Sequence, residues 1–146
     1  MINTSLIVQL ITNCVRHRNS PAVLSARMSL TDEHFLNEYG TINIFLPRQS
    51  GHSSAAITIA TRIPNVTIVT TKLSMCTSID RLAVHMLHPI PNRTPIDTYT
   101  KQTKIQIGTV CDKIVIFDGV SYMDKTVLED AIALHLPEIL LCVKLQ

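Results

Sequence analysis

The sequence predicts a three-layer α/β domain with a mostly parallel sheet and helices on both faces, and three observations carry that prediction. Four short runs, 42–46, 66–71, 113–117 and 139–144, are almost wholly apolar and rich in β-branched residues, as strands buried on both faces must be. Segments with apolar residues at helical spacing alternate with them. Aromatic residues make up 4% of the chain, with no tryptophan, so the core has to be aliphatic. A hydrophobic fraction of 46% against 16% charged describes a globular chain, and 146 residues suffice for one domain with its own core.

In chain order, Leu6, Leu10, Ile11, Cys14 and Val15 fall at helical spacing and predict a first helix over 5–15. Arg16-His17-Arg18 follows as a basic end that suits a helix C-terminus as readily as a phosphate contact. Asn19-Ser20-Pro21 breaks the pattern. Ser29 or Thr31, with Asp32 and Glu33 in the first turn, caps a short helix to about Tyr39, closed by Gly40. Residues 1–41 thus form a helical segment packed on a core of 42–146, one domain overall. Over 53–62, Ile57 and Ile59 alternate with threonines, which fits a strand. A helix is preferred there because parallel strands at 42–46 and 66–71 need a crossover between them. Pro64-Asn65 makes the next turn, and Ser74 or Thr77 caps a helix whose Ile79, Leu82, Ala83 and Met86 cover the sheet. Residues 89–95, with three prolines, read as an extended loop, and the alternation over 96–107 as a small hairpin or an irregular edge strand. Asp124 caps a helix over 125–135, which Pro137 stops.

Composition narrows the function. A formal net charge of +2 gives no electrostatic case for nucleic acid or a membrane surface. Cys14, Cys76, Cys111 and Cys142 are widely spaced, without a Cys-x-x-Cys pair, and read as reduced, buried thiols. His85 and His88 lie three apart with no third ligand beside them, so they read as a solvated helix end. The apolar patch over 6–11 is too short to span a membrane and lacks the flanks of a signal peptide, so a cytoplasmic protein is expected.

The stretch Ile42-Asn43-Ile44-Phe45-Leu46-Pro47-Arg48-Gln49-Ser50-Gly51-His52-Ser53-Ser54 reads as strand, phosphate loop, helix. A loop of the form G-x-x-x-x-G-K-[ST] curls backbone N–H groups around phosphate oxygens, extends a lysine to the β/γ-phosphates and offers a hydroxyl to Mg²⁺. Gly51 and Ser53 stand where the last glycine and the hydroxyl belong, while His52 replaces the lysine and Leu46 or Pro47 the first glycine. An ordinary Ser/Gly loop before a helix would read the same way. A second landmark is Asp118, the acid that ends the apolar run Ile114-Val115-Ile116-Phe117. In nucleotide-hydrolysing proteins of this arrangement, such an acid positions Mg²⁺ beside the phosphate loop.

Pro47-Arg48-Gln49-Ser50-Gly51-His52-Ser53 resembles the altered Walker A loop of viral packaging ATPases, the terminase large subunits, whose S-R-Q-x-G-K-T likewise lacks the first glycine; Arg48, Gln49, Gly51 and Ser53 match. Residues 66–75 resemble the strand and helix start that follow in those proteins, and 114–118 their Walker B strand. The resemblance covers about 42–144 and implies a P-loop NTPase-like core in which 139–144 lies between 42–46 and 113–117. It implies a phosphate-binding set of Arg48, Gln49, Ser50, Gly51, His52, Ser53 and Ser54, with Ser53 and Asp118 holding magnesium. The backbone of 49–54 should stay anion-receptive unless the loop collapses onto Asp118 or the His52 ring fills it.

Two departures change the implied activity. His52 offers an imidazole where a permanent cation belongs, and Gly119 stands where the family carries the glutamate that prepares the attacking water. Each such loss typically adds several kcal/mol to a barrier, so the expected protein is a catalytically impaired, ATPase-like one. It acts by binding a partner, such as a DNA-handling assembly of the same virus or its host, with no cofactor beyond weakly held ATP and Mg²⁺. The alternative is a nucleotide-binding protein or slow ATPase in which Arg48 or Arg16 replaces the missing cation. An unrelated α/β domain is the third reading. A complete packaging motor, with coupling elements and a nuclease domain, does not fit in 146 residues.

Overall fold

The computed structural model describes residues 4–45, 51–101, 113–135 and 139–146. Three helices, α1 (Thr4–Arg18), α2 (Pro21–Arg27) and α3 (Asp32–Tyr39), precede β1 (Thr41–Ile44). There follow α4 (His52–Arg62), β2 (Val66–Thr70), α5 (Leu73–His85), β3 (Asn92–Pro95), α6 (Ile96–Lys101), β4 (Lys113–Asp118), a 3₁₀ turn at Val120–Tyr122, α7 (Lys125–Leu134) and β5 (Ile139–Leu145). The strands form one sheet in the order β1-β5-β4-β2-β3, and every pairing is parallel. β5 therefore lies between β1 and β4, as the resemblance implied.

The topology builds the three layers. From β1 to β2 to β3 the chain steps one way across the sheet, and from β3 to β4 to β5 it steps back. Because crossovers between parallel strands keep one hand, the two directions send their helices to opposite faces. Ala56, Ile57 and Ile59 of α4 and Ile79 and Ala83 of α5 accordingly bury one face with Ile68, Ile114, Ile116, Leu141 and Val143. Tyr99 of α6 and Leu128 and Ala131 of α7 bury the other with Val69, Val115, Phe117 and Cys142. Successive strand residues thus serve opposite cores, which is why these runs contain almost no polar position. The register slips by one between β4 and β5, where Lys113 pairs with Ile139 but Ile114 with Leu141, and this puts Ile139 on the same face as Cys142.

The N-terminal helices pass from one face to the other: Ile11 of α1 enters the first core and Leu36 of α3 the second. Arg18 is a structural residue. It is buried, with its guanidinium carbon 4.4 Å from the centre of the Phe35 ring, and Arg27 approaches the same ring at 5.2 Å.

Several caps are as expected. Thr31 accepts a hydrogen bond from the His34 N–H, and Asp124 accepts from Thr126 and Val127. Gly40 ends α3 at φ −125°, not in the left-handed region, and Asn65 takes the left-handed turn position at φ 60°, which asparagine tolerates. Asn19-Ser20-Pro21 breaks the pattern as expected, since α1 ends at Arg18, and it also starts α2, with Ser20 at the N-cap and Pro21 in the first turn, where its missing N–H is harmless. Other expectations fail. Neither Ser74 nor Thr77 caps α5; its N-cap is Lys72. The expected loop at 89–95 contains β3, and the expected strand at 96–107 begins as α6; its remainder lies outside the described residues. β3 tolerates Pro95 because an edge strand bonds on one side only. Arg93 also ties it to α5 through a 2.6 Å ion pair with Asp80. Among the described residues no helix is long and apolar enough to cross a membrane. Cys14, Cys76 and Cys142 are free thiols; Cys76 and Cys142 are buried as expected, whereas Cys14 is only half-buried, and burial pushes the Cys142 thiol up to about 12; Cys111 lies outside the described residues.

Candidate functional site

α5 leaves the carboxyl end of β2 toward one face and α7 leaves the neighbouring β4 toward the other, so a crevice opens between these strand ends. In open parallel sheets that switch point is where ligands bind. Here it holds a cleft of about 1110 Å³, lined by Gly51, His52, Ser53, Ser54, Thr70, Thr71, Lys72, Met75, Leu82, Asp118, Gly119, Ser121, Tyr122 and Gln146.

One wall is the start of α4. Gly51 is its N-cap, at φ 86° and ψ 44° with no side-chain cap, and its carbonyl accepts the Ala55 N–H at 2.9 Å. An added Cβ at Gly51 would make only ordinary contacts, 3.7 Å from Ser54 Cβ. Glycine is needed here for its backbone angle, not for space. A left-handed residue followed by helical ones turns successive N–H groups to the same side, and the helix dipole adds partial positive charge there.

The floor joins the two landmarks. Ser53 Oγ donates to Asp118 Oδ2 at 2.8 Å across 65 positions of sequence. Asp118 is 7% exposed. Burial raises its carboxyl above the ordinary range, opposed by the Ser53 hydrogen bond and by the charge of His52. The His52 ring is drawn aside: its Nε2 lies 3.1 Å from the backbone oxygen of Gln146. A carbonyl only accepts, so that nitrogen carries the proton and donates. Gln146 is itself fixed to β1 by its N–H to the Ile44 carbonyl at 2.9 Å.

Gly51, His52, Ser53, Ser54 and Asp118 are therefore brought together as expected, and Gly119 lies beside them at φ 77°. Arg48, Gln49 and Ser50 lie outside the described residues. The loop side meets Asp118 through the serine hydroxyl, and His52 and Gln146, bonded to one another, both line the cleft. Sequence reading overlooked Thr70, Thr71, Lys72, Tyr122 and Gln146. All but Tyr122 stand at or just beyond the carboxyl ends of parallel strands, so the rule for open sheets was the signal that could have found them.

Asp118 makes a stability prediction. Asp118→Asn keeps an oxygen for the Ser53 hydroxyl and removes a buried charge, so at neutral pH the variant is expected to melt higher, by on the order of 1 kcal/mol or about 3 °C. The sign follows from the raised pKa. Below the ordinary carboxylate value of about 4, folded and unfolded chains are both protonated and no penalty exists. As pH rises through the raised native value the penalty grows, then stays constant. The gap in melting temperature between variant and wild type should widen over that window, and equal melting at all pH would contradict it.

Set against protein-family models, curated proteins and solved structures, the chain matches none.

Proposed function

We propose that this domain is a catalytically impaired, phosphate-loop protein that holds the phosphate groups of a nucleotide with magnesium in the Gly51–Ser54 and Asp118 cleft and acts through a protein partner rather than through turnover. The observation that supports it best is the 2.8 Å hydrogen bond from Ser53 to Asp118 beside an uncapped helix N-terminus. It unites a hydroxyl and a buried carboxylate, hard oxygen donors of the kind magnesium takes. Among the described residues no group of three or more His, Cys, Asp or Glu could form a metal site. A cation held by two protein oxygens would therefore complete its shell with water and phosphate, as magnesium commonly does. When bound, that ion would neutralise phosphate charge.

In this reading the backbone N–H groups at Gly51, His52 and Ser53 receive phosphate oxygens, and Asp118 keeps the Ser53 hydroxyl aimed at the cation. The resemblance to terminase large subunits suggests a DNA-handling assembly of virus or host as the partner, with the protein in the cytoplasm. Calorimetric titration of the purified protein with ADP and ATP, with and without Mg²⁺, tests the binding. Magnesium-dependent binding that Ser53→Ala and Asp118→Asn remove is expected. No binding at millimolar nucleotide would overturn the reading.

A further inference from the structure

The sheet ends in two strands of opposite character. β3, at one edge, carries features that discourage further pairing: Pro95 has no N–H to offer, and Arg93 places a charge there, held by Asp80. β1, at the other edge, has neither. Thr41, Ile42, Asn43, Ile44 and the Phe45 that follows are uncharged and free of proline, and an edge of that composition is a template for another strand.

The pairing with β5 shows which groups are open. The Gly40 carbonyl accepts the Cys142 N–H at 2.6 Å, and the Ile44 carbonyl accepts the Gln146 N–H at 2.9 Å. Along a strand in a parallel pair, the N–H and C=O of one residue face one side and those of the next residue face the other. Gly40, Ile42 and Ile44 therefore serve β5, while Thr41, Asn43 and Phe45 face away from it. Among the described residues β1 pairs with β5 alone, and no backbone hydrogen bond reaches those three. Ile42 and Ile44 pack half-buried against the first core, and Asn43 and Phe45 are exposed.

We propose that β1 is a dimerisation edge, on which a second copy of this chain pairs its own β1 antiparallel about a twofold axis at Asn43, joining the two sheets into one. In that register Asn43 faces its own counterpart, Thr41 faces the counterpart of Phe45, and Ile42 faces that of Ile44. The outward residues become hydrogen-bonded pairs, and the isoleucines carry the first core across the axis. A second copy fits because the edge is complementary to itself: apolar side chains meet apolar ones, amides meet at the axis, and no like charges oppose one another. The inference stands apart from the phosphate-binding reading.

Sedimentation velocity over a concentration series tests it. Wild type is expected to pass from monomer to dimer in the micromolar range, since so short an edge makes a small interface. Asn43→Lys and Asn43→Glu each set like charges opposite one another and should weaken the dimer roughly fivefold, whereas an equimolar mixture of the two should regain it. Asn43→Pro removes the outward N–H and spares those that face β5, so it should weaken the dimer roughly 10-fold to 100-fold. Thermal melting checks that this variant is folded, and the two charged variants decide the matter should it melt early. Leu87→Ser, at an exposed leucine in the connection from α5 to β3, should dimerise as wild type does. A wild type that stays monomeric throughout, a dimer indifferent to both charged variants, or one lost in Leu87→Ser overturns the edge. Failure of the mixture to dimerise overturns the twofold register.

Discussion

Phe117→Ala is expected to lower the free energy of unfolding by about 4 kcal/mol, the range for truncating a fully enclosed aromatic side chain. Phe117 has no exposed surface, and its ring meets Tyr99 edge-on, with centroids 6.1 Å apart at 81°. It sits on β4, hydrogen-bonded to a neighbour on each side, so the backbone cannot move in to fill the space. Against a total of about 5–15 kcal/mol for a domain, that loss leaves the fold marginal. Urea denaturation should show a lower midpoint with an unchanged slope. Phe45→Ala, at a residue 75% exposed, is the control and should shift stability by less than about 0.5 kcal/mol. A similar loss in both variants would mean that the second core is not packed as described.

Wild-type protein is expected to release phosphate from ATP far more slowly than about 1 per second, the lower end for enzymes of this chemistry, and His52→Lys alone should not restore turnover. On the proposed reading two parts of such an ATPase are replaced: the loop lysine by His52 and the carboxylate that would prepare the attacking water by Gly119. The structure adds a reason why the second is hard to put back. Gly119 occupies the left-handed region at φ 77°, where a side chain costs about 1–2 kcal/mol, although the space for a Cβ is open, with Tyr122 Cδ2 at 3.6 Å. Gly119→Glu therefore strains the turn that follows Asp118, the residue it would have to assist. The double variant should exceed either single one, because groups acting as a unit are not additive, yet stay well below an ordinary ATPase. Steady-state phosphate release from wild type and the three variants decides it. Wild-type turnover of about 1 per second would overturn the impaired-enzyme reading.

The buried strands were the most legible part of this chain, and the reason is physical. A parallel strand covered on both faces admits few polar side chains, so β2, β4 and β5 announce themselves as mostly apolar runs. α4 was legible only through topology, since Ile57 and Ile59 flanking Thr58 also fit a strand; Ile57 and Ile59 are both buried because α4 packs between α1, α5 and the sheet. The edge strand β3 has no such signature. Its sequence Asn-Arg-Thr-Pro is polar and ends in proline, and only its pairing to β2 makes it a strand. The Ser53 and Asp118 pair was legible because each belongs to a local pattern. The tether from His52 to Gln146 and the place of Lys72 were not, because both depend on which strands become neighbours.

That neighbour relation also sets an order of events during folding. Gly51 follows β1 and Asp118 ends β4, and the strand that holds these two apart at the right spacing is β5, the last of the described strands. Until residues 139–145 enter the sheet, β1 has no hydrogen-bonded partner in it. The pairing of Thr41 with Cys142 closes about a hundred residues of chain, a distant contact whose entropy cost slows folding. On a ribosome, β2, β3 and β4 could assemble while the carboxyl-terminal strand is still inside the exit tunnel; the serine and the aspartate could not yet be brought into register. The cleft is thus among the last features to form, and a nascent chain cannot capture a ligand in it before synthesis has passed β5.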